Sequence, residues 1–305
     1  MYTIVNFRRK RHQKMISSPI AMLPPELMRS VIPFVVGPSE RHAILQLSHV
    51  SRSFQQTVLD MSWLFTEAHW DRWPTPLLDL WCQRARAQPL TVSLSDETIH
   101  WLTVDKAPEL KALLELYSRR WGTLVLRFHI EAYGEETIRF VERLLQCACP
   151  LLRTISSKGT AGSRITLHLH PDCLPSLQTL CLRRIWPVFS TSPTSVTELT
   201  CSCTREGDWL PLLDAVKGCR LIQRLVINSS GYCGEDPITF PAATGKAVLS
   251  SLTHLEIEGI GTNLALAISQ FLGHCDIPKL ESLTVRSGWC THGVFHDLWQ
   301  SVVRP

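Results

Sequence analysis

The chain has 305 residues, 45% hydrophobic and 19% charged, with a formal net charge of +4. That balance excludes a disordered chain, and no run approaches the roughly 18 consecutive apolar residues of a membrane span. Arg8, Arg9, Lys10, Arg11 and Lys14 precede the first acid, Glu26, and without those five the remainder stands at −1, which excludes a body-wide positive field for nucleic acid.

Residues 1–21 read as a flexible basic tail. Its Arg8-Arg9-Lys10-Arg11 run fits either a nuclear import signal or a solvated terminus. No apolar run with a small-residue cleavage site follows it, so the expected compartment is the cytoplasm, the nucleus or both. The 11 Cys include no Cys-x-x-Cys pair, and in a reducing compartment they are expected as small buried hydrophobes. Asn228-Ser229-Ser230 matches a glycosylation acceptor, which carries no meaning without a secretory route.

Leu23-Pro24-Pro25-Glu26-Leu27 opens a helix. Proline costs nothing at a helix start, where the N–H would be unpaired anyway, and Glu26 suits the positive end of the dipole. Leu27, Val31, Phe34 and Val35 form its apolar stripe. Gly37-Pro38-Ser39 ends it, and Ser39 can cap a second stretch carrying Ile44, Leu47, Val50, Phe54 and Val58. Ser51 or Ser53 is expected to break that stretch in two. Three short helices make little core of their own and need a partner or the next domain.

From there the chain repeats a pattern. Leu177-Gln178-Thr179-Leu180-Cys181-Leu182, Leu252-Thr253-His254-Leu255-Glu256-Ile257 and Leu280-Glu281-Ser282-Leu283-Thr284-Val285 each place an apolar residue, then two gaps, then two apolar residues at i and i+2. Val196 to Cys201 and Ile222 to Ile227 follow the same rule. The last two apolar positions share one face of a strand. The anchors at 177, 196, 222, 252 and 280 are separated by 19, 26, 30 and 28 residues, close to the roughly 20–29 of leucine-rich repeats. Weaker copies lie at Trp121–Leu126 and Leu152–Ile155. Between strands, four helical stripes recur: Leu110/Leu113/Leu114/Tyr117, Ile138/Val141/Leu144/Leu145/Ala148, Trp209/Leu212/Leu213/Val216 and Leu264/Ile268/Phe271/Leu272. The longest loop runs from Ser229 to about Ala243. Phe295, Leu298, Trp299 and Val302 mark a C-terminal helix that can cap the array.

Leu23-Pro24-Pro25-Glu26-Leu27, with Leu45 to Phe54 (Leu-Gln-Leu-Ser-His-Val-Ser-Arg-Ser-Phe), resembles an F-box. Ser62-Trp63-Leu64-Phe65, the helix Leu77 to Trp81, the strand Pro89 to Leu94 and the turn Ser118 to Trp121 are similar to the continuation in fungal F-box proteins with repeats. Pro33 inside the first helix, a longer link over residues 36–43, and Phe54 in place of Trp depart from the pattern. The resemblance implies an α/β chain: a small all-helical F-box module over 22–65, then an irregular leucine-rich-repeat solenoid over 66–305 with parallel concave strands and convex helices. It implies the substrate-recruiting subunit of a Skp–cullin–F-box ubiquitin ligase, doing no chemistry itself. Leu23, Pro24 and Leu27, with Val50 and Phe54 behind them, would hold the Skp-type adaptor and through it a cullin. A target protein would meet the concave residues Arg224, His254, Glu256, Glu258 and Arg286. No cofactor, metal, membrane or nucleic acid is expected, and the chain would be a monomer within the complex. The alternative is a leucine-rich-repeat interaction scaffold with a degenerate F-box and no ligase role.

Catalytic readings are weaker. His168 and His170 share a strand face near Asp172 and Cys173, a legal metal spacing, but an alternating strand with its polar face in water explains them too. Glu256 and Glu258 are paired carboxylates without evident tuning. Gly245-Lys246 lacks the first Gly and the Ser or Thr of a phosphate loop. Concave charges alternate in sign, unlike the sustained positive stripe of a nucleic-acid groove.

Overall fold

The computed structural model describes residues 23–35, 46, 49, 51–70, 73–103, 107–128, 135–159, 165–183, 185–193, 195–203, 208–229, 245–259 and 264–287. The basic tail, Val50, the loop over 230–244 and the C-terminal stripe at 295–302 lie outside those residues. The chain is mixed α/β. It divides into two compact units, Met1–Leu64 and Phe65–Pro305.

In the first unit, α1 spans Pro25–Val35 and α2 spans Arg52–Asp60, and the two pack together. Pro25 takes the first helical position, and the Pro24 carbonyl accepts from the Met28 N–H. Ser51 is the N-cap of α2: its backbone is extended and its Oγ accepts from the Phe54 N–H at 3.2 Å. Of the two expected breakpoints, Ser51 is therefore the one used. Among the described side chains of α1, Met28 and Ile32 are buried and Leu27 and Val31 are not. Both pairs have i, i+4 spacing one position apart, and periodicity alone does not choose between them.

The second unit is built on one nine-stranded sheet in which every pairing is parallel. Its strands are β1 (Glu67–His69), β2 (Leu90–Ser95), β3 (Trp121–Phe128), β4 (Thr154–Gly159), β6 (Thr179–Arg183), β8 (Glu198–Ser202), β9 (Arg224–Ser229), β11 (His254–Gly259) and β13 (Ser282–Ser287). They lie side by side in chain order. Each repeat contributes its i and i+2 apolar residues to one face, so they stack in register: Leu124, Ile155, Leu180, Leu199, Leu225, Leu255 and Leu283 form one row. Leu182, Cys201, Ile227, Ile257 and Val285 form the next.

The turn into each strand recurs as well. The anchor N–H donates to the carbonyl three residues back: Leu152 to Cys149, Leu177 to Leu174, Ile222 to Cys219, Leu252 to Leu249. These upstream residues are themselves buried. The repeat thus has a further apolar position three before its anchor, which the sequence pattern did not reveal because Cys holds it in two copies. Cys149 and Cys219 stand where Leu174 and Leu249 stand. One residue past each anchor the corner is sealed: the Arg153, Gln178, Thr197, Gln223 and Thr253 carbonyls each accept from two successive N–H groups of the following repeat.

Helices α3 (Thr75–Arg84), α4 (Asp96–Thr103), α5 (Pro108–Tyr117), α6 (Glu135–Gln146), α7 (Trp209–Gly218) and α8 (Leu264–Gly273) fill the connections. Leu110, Leu113, Leu114 and Tyr117, then Ile138, Val141, Leu144 and Leu145, then Trp209, Leu212, Leu213 and Val216 are buried as the stripes require. Ala148 falls beyond α6 and is exposed. On α8, Ile268, Phe271 and Leu272 are buried, while the Leu264 side chain lies outside the described residues. Helix α4 was not expected. Ser95 caps it, its Oγ accepting from the Thr98 N–H at 3.2 Å.

Between β4 and β8 the connections are strands rather than helices. β5 (Ile165–Leu169) and β7 (Ile185–Phe189) pair in parallel, with α6 packed on β5 and α7 on β7. A strand covers about twice the length per residue of a helix. A repeat closed by β7 therefore needs fewer residues, which accounts for the short step between Leu177 and Val196. A second two-stranded pair, β10 (Ala247–Val248) with β12 (Cys275–Asp276), lies just before the last two anchors.

Candidate binding surfaces

On the first unit, the four described F-box positions fall into two layers. Pro24 and Leu27 are exposed and Leu23 is half-buried. Phe54, on α2, is 5% exposed and belongs to the buried layer with Thr57 and Val58. Leu27 at 52% and Val31 at 47% exposure leave an apolar stripe in water one position along from the buried Met28 and Ile32. Val31 was expected only as a core residue. Its exposure makes it part of the same surface as Leu27.

On the second unit, strand alternation turns the remaining side chains to the face opposite the leucine rows. One row across the strands reads Glu67, Thr91, Thr123, Thr154, Thr179, Glu198, Arg224, His254 and Ser282. The next, from β2 onward, reads Ser93, Val125, Ser156, Cys181, Thr200, Val226, Glu256 and Thr284. In these two rows the face is neutral and hydroxyl-rich over β2 to β6 and charged over β8 to β11, and the strand ends add Arg127, Lys158, Arg183, Glu258 and Arg286.

The five residues expected at a protein-binding patch sit together on the charged part. His254 stands between Arg224 and Ser282 in register, Glu256 beside Thr284, and Glu258 beside Arg286. Four of them are tied into one zigzag that also takes in Glu198. Arg224 Nη1 lies 3.5 Å from Glu198 Oε1, and Nη2 lies 2.9 Å from Glu256 Oε2. Arg286 Nη2 lies 3.2 Å from Glu256 Oε1, and Nη1 lies 3.0 Å from Glu258 Oε1. Glu256 reaches Arg224 and Arg286 diagonally across adjacent strands, a separation long side chains span. His254 Nδ1 is 2.8 Å from Thr253 Oγ1. The network neutralises most of its own charge, so it projects a weak field and gives a partner shape and hydrogen-bond pattern rather than attraction at a distance.

The other chemistry-bearing candidates do not converge. His168 is exposed on β5, and its N–H donates to Glu142 Oε1 at 2.6 Å. Among the described residues no group of His, Cys, Asp and Glu could hold a metal ion. Cys82, Cys149 and Cys219 are buried with free thiols, and burial pushes each thiol up to about 12. A thiol held neutral is a poor nucleophile and ligand. A groove of about 540 Å³ runs between α4 and α6, lined by Thr103, Glu136, Arg139, Glu142, Arg143 and Gln146; among these described residues there is no Cys, Ser or His. Among the described residues no helix is long and apolar enough to cross a membrane.

No family model matches this chain. No curated protein matches it either.

Proposed function

We propose that the chain is the substrate-recruiting F-box subunit of a Skp–cullin–F-box ubiquitin ligase. In this reading α1 and the start of α2 hold the Skp-type adaptor. The nine parallel strands are the strand layer of a leucine-rich-repeat-like array, and their open face holds a target protein. The chain supplies binding and no catalysis.

The observation that carries the reading is the double stripe of α1. Met28 and Ile32 are buried, while Leu27 and Val31 are about half exposed on a unit with a small core. Apolar side chains left in water on adjacent turns are what an interface would cover. The Leu-Pro-Pro-Glu-Leu opening and the Ser51 cap supply the same module in sequence terms. Co-purification with a Skp-type adaptor tests the reading. Leu23→Ala with Pro24→Ala should abolish it while the second unit stays folded, and retention of the adaptor by that variant would refute it.

A further inference from the structure

We propose that Cys147 and Cys173 are an oxidative modification site: a thiol pair that a peroxide joins in a disulfide across two consecutive repeats. This goes beyond the function proposed above and rests on none of it.

Of the nine described cysteines, five are buried: Cys82, Cys149, Cys201, Cys203 and Cys219. Cys147 and Cys173 are only half-buried, and both thiols are free. Cys147 follows the last turn of α6, its N–H donating to the Leu144 carbonyl. Cys173 ends a short 3-10 turn over Pro171–Cys173, after β5. The two stand far apart in sequence, yet the Cys149 N–H donates to the Cys173 carbonyl at 3.1 Å. A backbone bond of that kind holds Cα atoms roughly 5–6 Å apart. The turn carrying Cys147 and the turn carrying Cys173 therefore meet within the span of roughly 4.4–6.8 Å that a disulfide accepts between Cα atoms.

Access and orientation select Cys147, not Cys149, as the partner. Cys149 is fully buried, and its Sγ donates to the Cys147 carbonyl at 3.1 Å. Burial pushes its thiol up to about 12, so it is both screened from an oxidant and held protonated. Cys147 is reachable from water. Its own bond, to the Arg143 carbonyl, is long at 3.8 Å, so turning the thiol towards Cys173 gives up little. Burial raises the Cys147 thiol above 9.0, and the Glu115 carboxylate and then Cys173 add to the rise. The last effect places the two sulfurs within each other's field. Among the described residues no group of His, Cys, Asp and Glu could hold a metal ion, which leaves sulfur–sulfur chemistry as what this cluster can do.

The step balances with hydrogen peroxide as the oxidant. One thiolate attacks a peroxide oxygen: an S–O bond forms, the O–O bond breaks, and hydroxide leaves, taking up the thiol's proton as water. The sulfur of the second thiol then attacks the sulfenic sulfur. The S–S bond forms, the S–O bond breaks, and the hydroxyl departs with the second proton as a second water. Two thiols lose two electrons and the peroxide gains them. The product closes a loop around β4 and β5 and ties the end of α6 to the turn before β6. A closed loop has fewer open states to reach, so this stretch should open less often.

The test uses the full chain, oxidised with a small molar excess of hydrogen peroxide, alkylated, digested and mapped by mass spectrometry without reduction. A peptide pair joined between Cys147 and Cys173, located by fragmentation, should appear, and dithiothreitol should remove it. Hydrogen exchange over 147–159 should slow by about tenfold or more on oxidation. Cys147→Ser and Cys173→Ser, each at a half-buried position, should abolish the linked pair, and dimedone should trap the remaining thiol as its sulfenic acid. An equal mixture of light and nitrogen-15 chains tells an internal bond from one between two molecules. The proposal is overturned if no linked pair forms while Cys181 or Cys275 is oxidised or all four half-buried thiols stay free. It is equally overturned if Cys149 or another cysteine takes the place of either partner, or if the link joins two chains. The wild-type map decides each of these outcomes even where a variant fails to fold.

Discussion

Glu256 accepts from Arg224 at 2.9 Å across the β9–β11 pair and meets Arg286 of β13 with its other oxygen. It is the hinge of the zigzag and its least exposed member, at 16%. Removing its charge leaves two guanidinium groups, one on each flanking strand, facing a neutral amide. Exposed ion pairs are worth little singly, and networks somewhat more. Glu256→Gln should therefore cost about 1 kcal/mol in low salt, and less in high salt as screening weakens what was lost. Thermal melts at the two salt levels check this. An equal loss at both would mean that packing, not charge, holds Glu256 in place.

The leucine rows behave as one continuous core, so a truncation in the middle should be felt at full size. Leu255 is 1% exposed and stacks between Leu225 and Leu283 in register. Leu255→Ala removes apolar contact and leaves a cavity that two neighbouring strands cannot both collapse into. The expected cost is roughly 2–5 kcal/mol, read as a lower urea midpoint with the slope unchanged. A variant melting like wild type would mean that the row is not the stabilising element.

The repeat was legible in the sequence because its signal is local. Three apolar positions within six residues are enough to mark a strand, and aligning the anchors aligns the strands: Ile222 and Leu252 each precede, by two residues, the partners Arg224 and His254. What eluded sequence reading depends on other things. β1 is three residues long, too short for a period. Helix α4 buries only Ile99 and Leu102 as large apolar groups and exposes Trp101, so its stripe is faint. β5 was legible as an alternating strand at Leu167 to His170, but its pairing with β7, in the place helices take in other repeats, was not. On α1, two apolar pairs compete for the core, and the position of α2 decides. The five-residue patch was legible as a cluster. Its pairing with Glu198 was not, since that requires the register of a third strand.

Alkaline pH should destabilise the second unit at the contact of α3 with α5. The Tyr117 hydroxyl donates to Asp79 Oδ1 at 2.8 Å. Burial first, then that hydrogen bond and the carboxylate charge, push Tyr117 from 10.0 up to about 12. Burial likewise pushes Cys82 from 9.0 up to about 12. In both cases the fold favours the protonated form. Its contribution is complete below the unfolded values of 9.0 and 10.0 and is lost as pH rises through about 12. The melting temperature should fall across that window, and less steeply for Tyr117→Phe/Cys82→Ala. An unchanged slope in the double variant would assign the loss to other groups.

The first unit allows binding and stability to be separated on neighbouring residues. Leu27 and Val31 are exposed, so Leu27→Asp/Val31→Asp removes no core contact and places charge where an adaptor would have to bury it. An uncompensated charge at an interface is expensive, and adaptor binding should fall below detection while the melt stays near wild type. Phe54 is buried under the capped start of α2. Phe54→Ala should instead cost roughly 3–5 kcal/mol of local stability, and weaken the adaptor only as far as α1 and α2 come apart. Hydrogen exchange over 51–60 reads the second effect, and adaptor titration by calorimetry reads the first. If the aspartate pair leaves adaptor binding intact, the exposed stripe is not the adaptor surface. The scaffold reading, with its degenerate F-box, then takes precedence.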